Sequence, residues 1–337
     1  MNKSKKNILL RIVNKIRNME YDPNIVNNHL LIKDVGIKKT FCFLCYNIID
    51  YLDGYRTNFY QRSIEKFIEN EFSDIEVCSK FVQKSIKKKC DVWVLWLQGR
   101  DNAPDLIKIC LKSHEKYIDN EFFEYHLITN ENLCDFVTIP YVIDEKFKNG
   151  QISFTHFSDI IRVLLLNRYG GIWMDATLLL TEKIPRNILE YEFYTNRKET
   201  TVNNNNRLVS KGRWTSYFLY CKCNNPLISY MCNAFEHYWK NHNVLVDYWL
   251  VDYTINSAYK KSEIVKQQID NVPYNNQYIV GLHKLRNEKY EKSKFDELLK
   301  ENTIHKLSYK DITVKYDIDG NLTYWGAICE RILGEFL

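Results

Sequence analysis

The apolar positions of this chain keep a helical period through roughly the first 90 residues and then change character. In "MNKSKKNILLRIVNKIRNM" Leu9, Ile12, Ile16 and Met19 recur three and four apart, which predicts a basic amphipathic helix. "TFCFLCYNIIDYL" is an apolar run of 13 residues, too short to cross a bilayer, and predicts a core helix. Over 91–97 the run is apolar, aromatic and β-branched, as in a buried strand. Polar "QGRDNAP" then makes a loop, and Pro104 suits a helix start. A helix over 105–118 and a strand over 123–129 follow, closed by a turn at Asn130. Strand, helix, strand at this spacing is the βαβ unit of a parallel sheet. Residues 154–169 predict a further helix, 171–176 another strand, and 225–262 a helical region with Pro226 in its first turn. The pattern divides the chain near residue 85, into a helical region at 1–85 and an α/β domain at 86–337. Between the later elements, "NRKETTVNNNNRLVSKGRW" is polar and carries four consecutive asparagines, either a lid or a plain surface excursion.

One segment resists that simple partition. "SDIIRVLLLNRYGGIWMDAT", residues 158–177, is almost wholly apolar yet holds Asp159, Arg162 and Asp175. Asp159 and Arg162 are three apart and share a helix face. Exposed, they would form an ordinary ion pair; buried, they would be costly unless closely partnered, and such groups often hold a ligand. Gly170 suits a left-handed helix cap, and Gly171 a tight turn into the next strand. That strand carries Asp175 towards its carboxyl end, the edge at which open α/β sheets bind ligands. A carboxylate there also serves as a plain turn former.

Composition narrows the class. The chain is 45% apolar and 26% charged, ordinary for a globular protein. A net charge of +5 suits an anionic small substrate or a membrane surface, and without a clustered basic patch it argues against nucleic acid. The ten cysteines are scattered; the close pairs Cys42/Cys45 and Cys221/Cys223 lack the spacing of a four-ligand zinc site. With no signal peptide and no spanning run, the expected location is the cytoplasm. Residues 1–19 are then either a contact with the inner face of the cell membrane or a helix packed on its own domain.

"FSDIIRVLLLNRYGGIWMDAT", with "VWVLWLQGRDNAPDLIKICLKS" before it and "IHKLSYK" after it, resembles the capsular polysaccharide synthesis family of bacterial glycosyltransferases. The resemblance spans roughly residues 88 to 310. It implies a GT-A, Rossmann-like fold and a nucleotide-diphosphate sugar donor. By motif position, Trp96 would stack on the nucleotide base, Asp159 and Arg162 would hold donor-sugar hydroxyls, and Asp175 would meet the ribose, the sugar or the metal shell. Gly171 and Thr177, in the same element as Asp175, and Lys306 further along are the other expected donor-binding residues. An aromatic face on a base is worth about 1–3 kcal/mol; without the resemblance, Trp96 reads first as core packing.

The family looks related to a wider group of glycosyltransferases with a sugar-binding DXD motif, and one feature departs from that group. The motif is Asp175-Ala176-Thr177, so the second acid, the expected direct ligand of Mn²⁺ or Mg²⁺, is a threonine. Either Asp175 and the diphosphate hold a divalent cation with help from His305, or cations such as Lys306 and Lys310 replace it. "VDYWLVDYTINSAY" sets Asp247, Tyr248, Trp249, Asp252 and Tyr253 together; Asp247 is the expected acceptor-side residue, although aromatics at helical spacing are more often core. No residue presents itself as a base, which fits a retaining reaction. The expectation is therefore a glycosyltransferase acting on a lipid-linked or oligosaccharide acceptor of capsule synthesis. A protein-modifying glycosyltransferase and a non-catalytic sugar-nucleotide binder are the alternatives.

Overall fold

A computed structural model describes residues 28–52, 58–78, 88–199 and 208–334. The expectation for residues 1–19 lies outside them. Strand β1 (Cys90–Leu95) pairs in parallel with β2 (Phe123–Ile128) and with β3 (Gly171–Met174). Beyond β3 the direction reverses: β6 (Phe218–Cys221) pairs antiparallel with β3, and β5 (Phe193–Thr195) pairs antiparallel with β6. The five-stranded order is β2-β1-β3-β6-β5, and a separate antiparallel pair joins β4 (Leu178–Leu180) to β7 (Ile304–Lys306). The sheet is thus mixed α/β, parallel only where the βαβ spacing predicts it. The strands β4 to β7 have three or four residues each, too short for a period of two to show in the sequence.

Alternation along the strands builds two cores. Trp93, Leu95 and Trp173 face one side, against the helices Phe154–Tyr169 and Pro226–Asn241. Val92, Val94, Ile172 and Met174 face the other, against the helices Asp105–Tyr117 and Tyr324–Leu333. The Phe154–Tyr169 helix is buried on most sides, as its composition requires. Residues 225–262 form two helices rather than one continuous run, Pro226–Asn241 and Leu250–Lys261.

Three helices cover the first core from outside: Asn28–Val35, Ile37–Leu52 and Phe59–Glu71. Phe43, Ile64 and Phe67 enter that core. The Tyr60 hydroxyl donates to Asp247 Oδ2 at 2.7 Å, and Lys260 pairs with Glu65 and Glu69 at 3.0 and 2.7 Å. The Ile37–Leu52 helix is not the core helix its apolar run predicts: only Thr40, Phe43 and Asp50 are buried. No helix among the described residues is long and apolar enough to cross a membrane.

Gly170 and Gly171 work through the backbone. Both have positive φ, 69° and 95°. A Cβ on Gly171 would sit 2.3 Å from the Asp91 carbonyl oxygen. Gly171 therefore serves the close approach of β3 to β1 and is not among the residues lining the cleft described below. Gly171→Ala should cost roughly 3 kcal/mol or more from backbone strain and overpacking together. Equilibrium urea unfolding checks this; an unchanged midpoint would mean that the two strands have room to part.

Candidate active site

A cleft of about 670 Å³ opens where β1 and β3 end. Parallel register sets Trp93 beside Trp173, so Trp96, just past β1, and Asp175, just past β3, reach the same edge. The Phe154–Tyr169 helix turns Phe154, Thr155, Ser158, Asp159 and Arg162 to the cleft, a set that shares one face of a helix of 3.6 residues per turn. Ser153 caps this helix by accepting from the His156 amide at 3.2 Å.

Charges alternate across the floor. Arg162 donates from Nη1 to Asp159 Oδ1 at 2.7 Å and from Nη2 to Asp175 Oδ1 at 3.0 Å. The Trp173 indole donates to the same Asp175 oxygen at 3.0 Å, and the guanidinium carbon lies 4.9 Å from the Trp173 ring centroid. His156 Nε2 accepts from the Trp239 indole at 3.0 Å, which leaves the imidazole proton on Nδ1, 3.5 Å from Asp159 Oδ2. Lys306 donates from Nζ to Asp175 Oδ2 at 2.8 Å and also bonds the Thr177 hydroxyl. Burial pushes the Asp175 carboxyl up, but Lys306 and Arg162 outweigh it and hold the pKa at about 2. The buried Arg162 Nε has no hydrogen-bond partner among the described residues, a costly state that a ligand oxygen would relieve.

Lys306 arrives through the small sheet. The ladder pairs Leu178 with Lys306 and Leu179 with His305, and the Leu307 amide bonds the Thr177 carbonyl at 3.0 Å. Side chains alternate along a strand, so His305 and Lys306 cannot both face the cleft. His305 is fully buried on the other side, its Nε2 3.2 Å from the Thr181 hydroxyl, and burial lowers its pKa to about 4. The structure therefore does not bring His305 to Asp175.

Trp96, Asp159, Arg162, Asp175, Thr177 and Lys306 share the cleft. Trp96 meets Tyr309 edge-on, with ring centroids 5.4 Å apart. Asp247 is not brought there: its carboxylate accepts from Tyr60 and from the Trp249 amide at 2.7 Å each, behind the wall. Its neighbours Tyr248 and Trp249 do line the cleft, and so does Asp252. Asp252, five residues further along the same segment, is the acid that lines the cleft where Asp247 is expected to. Burial raises the Asp252 carboxyl to about 7, against a 2.8 Å hydrogen bond from the Trp214 indole that favours the charged form, with the Asp159 charge adding to the rise. Lys198 and Trp214, which no motif singles out, also line the cleft. Both belong to the polar asparagine segment, of which residues 200–207 lie outside the described residues.

The cleft does not fit a divalent cation held by protein ligands. Both Asp175 oxygens already accept from cationic or indole donors, the second acid is Thr177, and the Lys306 ammonium stands where an ion would have to approach. The one cluster of three or more ligand-type side chains among the described residues, Asp91, Glu124 and His126, lies at the opposite, amino-terminal part of β1 and along β2.

A sequence profile of the family described as capsular polysaccharide synthesis protein matches residues 46–324. No curated protein sequence matches the chain. One solved structure that resembles it, titled PaToxG Glycosyltransferase, is 13% identical with a TM-score of 0.34, covering 70% of this chain and 90% of that one.

The position of Asp252 has a consequence for stability. Outside the fold its carboxyl ionises near 3.8, and in the fold at about 7. Between those values the folded chain keeps a proton that the unfolded chain has released, so this group's contribution falls as pH rises through the window. Asp252→Asn keeps an oxygen for Trp214 and removes the titration. The variant should gain stability relative to wild type from about pH 4 to about pH 7, read from urea midpoints; parallel pH curves would contradict the assignment.

Proposed function

The chain belongs to the capsular polysaccharide synthesis family, and on that premise we propose that it is a glycosyltransferase taking a nucleotide-diphosphate sugar. The observation that carries this is the run Asp159, Arg162, Asp175, Lys306, alternating in charge at the foot of a cleft at the carboxyl edge of a largely parallel sheet half. Such an arrangement holds several hydroxyls and a diphosphate with fixed dipoles and needs no nucleophile from the protein. The βαβ half and its carboxyl-edge cleft fit a GT-A-like reading of the fold.

In this reading Trp96 takes the base, with Tyr309 at its edge. Asp159 and Arg162 take donor-sugar hydroxyls, with the spare Arg162 Nε available to a further oxygen. Asp175 takes the ribose or the sugar and, with Thr177, orients Lys306. Asp252, Tyr248 and Trp249 form the acceptor wall, and the acceptor is a lipid-linked or oligosaccharide intermediate. The acceptor hydroxyl attacks the anomeric carbon as the bond to the diphosphate breaks. The electron pair goes to the leaving oxygen, which also takes the hydroxyl proton, so the anomeric configuration is retained. Lys306 offsets the charge that develops there, and Lys198 and Lys310, which line the same cleft, add to the field.

Two experiments test this. Purified protein screened against common nucleotide sugars should show a donor-dependent rise in melting temperature, since a ligand that binds only the folded state stabilises it. Asp175→Asn should abolish that rise and reduce transfer by about a hundredfold or more; wild-type turnover in the variant would remove Asp175 from the reaction. The assignment of Lys306 to the diphosphate predicts transfer within about twofold of normal in excess EDTA, and a loss of about 10²–10³ in Lys306→Ala. Loss of activity in EDTA with recovery on Mn²⁺ would give the charge to an ion instead.

A further inference from the structure

The Ile37–Leu52 helix is inverted. Its buried residues include Thr40 and Asp50, while Ile37 and Phe41 are 70% and 66% exposed and Leu52 is 50% exposed. Asp50 is held inside because its two oxygens accept from the Phe59 and Tyr60 amides at 2.7 Å each, at the start of the next helix. At ~100° per residue, Ile37, Phe41, Leu44, Ile48, Ile49 and Leu52 fall within an arc of about 140°, and each is exposed or half-buried. A helix normally spends such a stripe on its own core. Here the fold buries the opposite face and leaves the stripe outside, where a contiguous apolar surface marks an interaction site.

The charge of this part of the sequence indicates the partner. Residues 1–52 hold nine Lys and Arg against four Asp and Glu, while residues 53–337 hold 38 of each, so the entire net charge of +5 lies in this part of the chain. Lys38 falls within that arc and is exposed, and Lys33 and Lys39, close to it in the sequence, are exposed as well. An apolar helix face flanked by cations is the pattern of a surface lying in the plane of an anionic bilayer, with side chains in the acyl boundary and ammonium groups at the phosphates.

We propose that the outer face of the Ile37–Leu52 helix, with the exposed Lys38 on it, docks the protein on membranes containing anionic phospholipid. The docking is independent of the sugar-transfer reading, because none of these residues lines the cleft.

Vesicle flotation of the purified full chain tests it, with phosphatidylcholine vesicles against vesicles that also contain phosphatidylglycerol. Wild type should float with the anionic vesicles at least tenfold more than with the neutral ones, and less as salt rises. Phe41→Asp should cut that binding at least tenfold while keeping the wild-type melting temperature, since the side chain is exposed. Lys38→Glu should weaken binding to anionic vesicles only. Unchanged flotation in Phe41→Asp would assign membrane binding elsewhere in the chain and overturn the proposal. So would the absence of wild-type flotation. Wild-type dimerisation that Phe41→Asp abolishes, without any vesicle binding, would give the face to a second copy instead and equally overturn it.

Discussion

Everything at the cleft depends on a half-buried carboxylate and the two cations that hold it. Asp175 stays ionised because a guanidinium and an ammonium reach its two oxygens from different parts of the fold. Removing either cation leaves a poorly solvated charge, an expensive state. The helix that brings Arg162, the strand that brings Asp175 and the small sheet that brings Lys306 must therefore dock in one register. That mutual constraint explains why the polar residues of an otherwise apolar segment all face one cleft.

The cleft divides into a charged floor and an aromatic rim. Arg162 and Trp173 join the two, since the indole both donates to Asp175 and faces the guanidinium. The rim carries Trp96 with Tyr309 on one side and Tyr248 with Trp249 on another, each pair meeting edge-on. Edge-on pairs leave a ring face free on at least one partner, and such faces suit flat bases and the CH faces of sugars.

Much of this was legible in the sequence where period and chemistry coincide. The Phe154–Tyr169 helix, the β1–helix–β2 unit and the convergence of Asp159, Arg162 and Asp175 follow from spacing, because one helix face and one strand end decide them. The later strands escaped because three-residue segments such as Leu178–Leu180 show no period. His305 was separated from Lys306 by a pairing that only the tertiary fold sets. Asp247 and Asp252 are chemically alike in the sequence; what distinguishes them is Tyr60, 187 residues away from Asp247 along the chain. The exposed side of the Ile37–Leu52 helix was hidden for a different reason: an apolar run states that water is unfavourable, not what replaces it.

The Tyr60–Asp247 hydrogen bond joins an outer helix to the residue directly before Tyr248 and Trp249. The aromatic side of the cleft is thereby moored to the amino-terminal helices. Excising those helices would strip Phe43, Ile64 and Phe67 from a shared interior and leave a sequestered acid without its phenol donor. A shortened version comprising only the sheet and its flanking helices would thus retain Asp159, Arg162, Asp175 and Lys306 and lose the strut beneath the wall opposite.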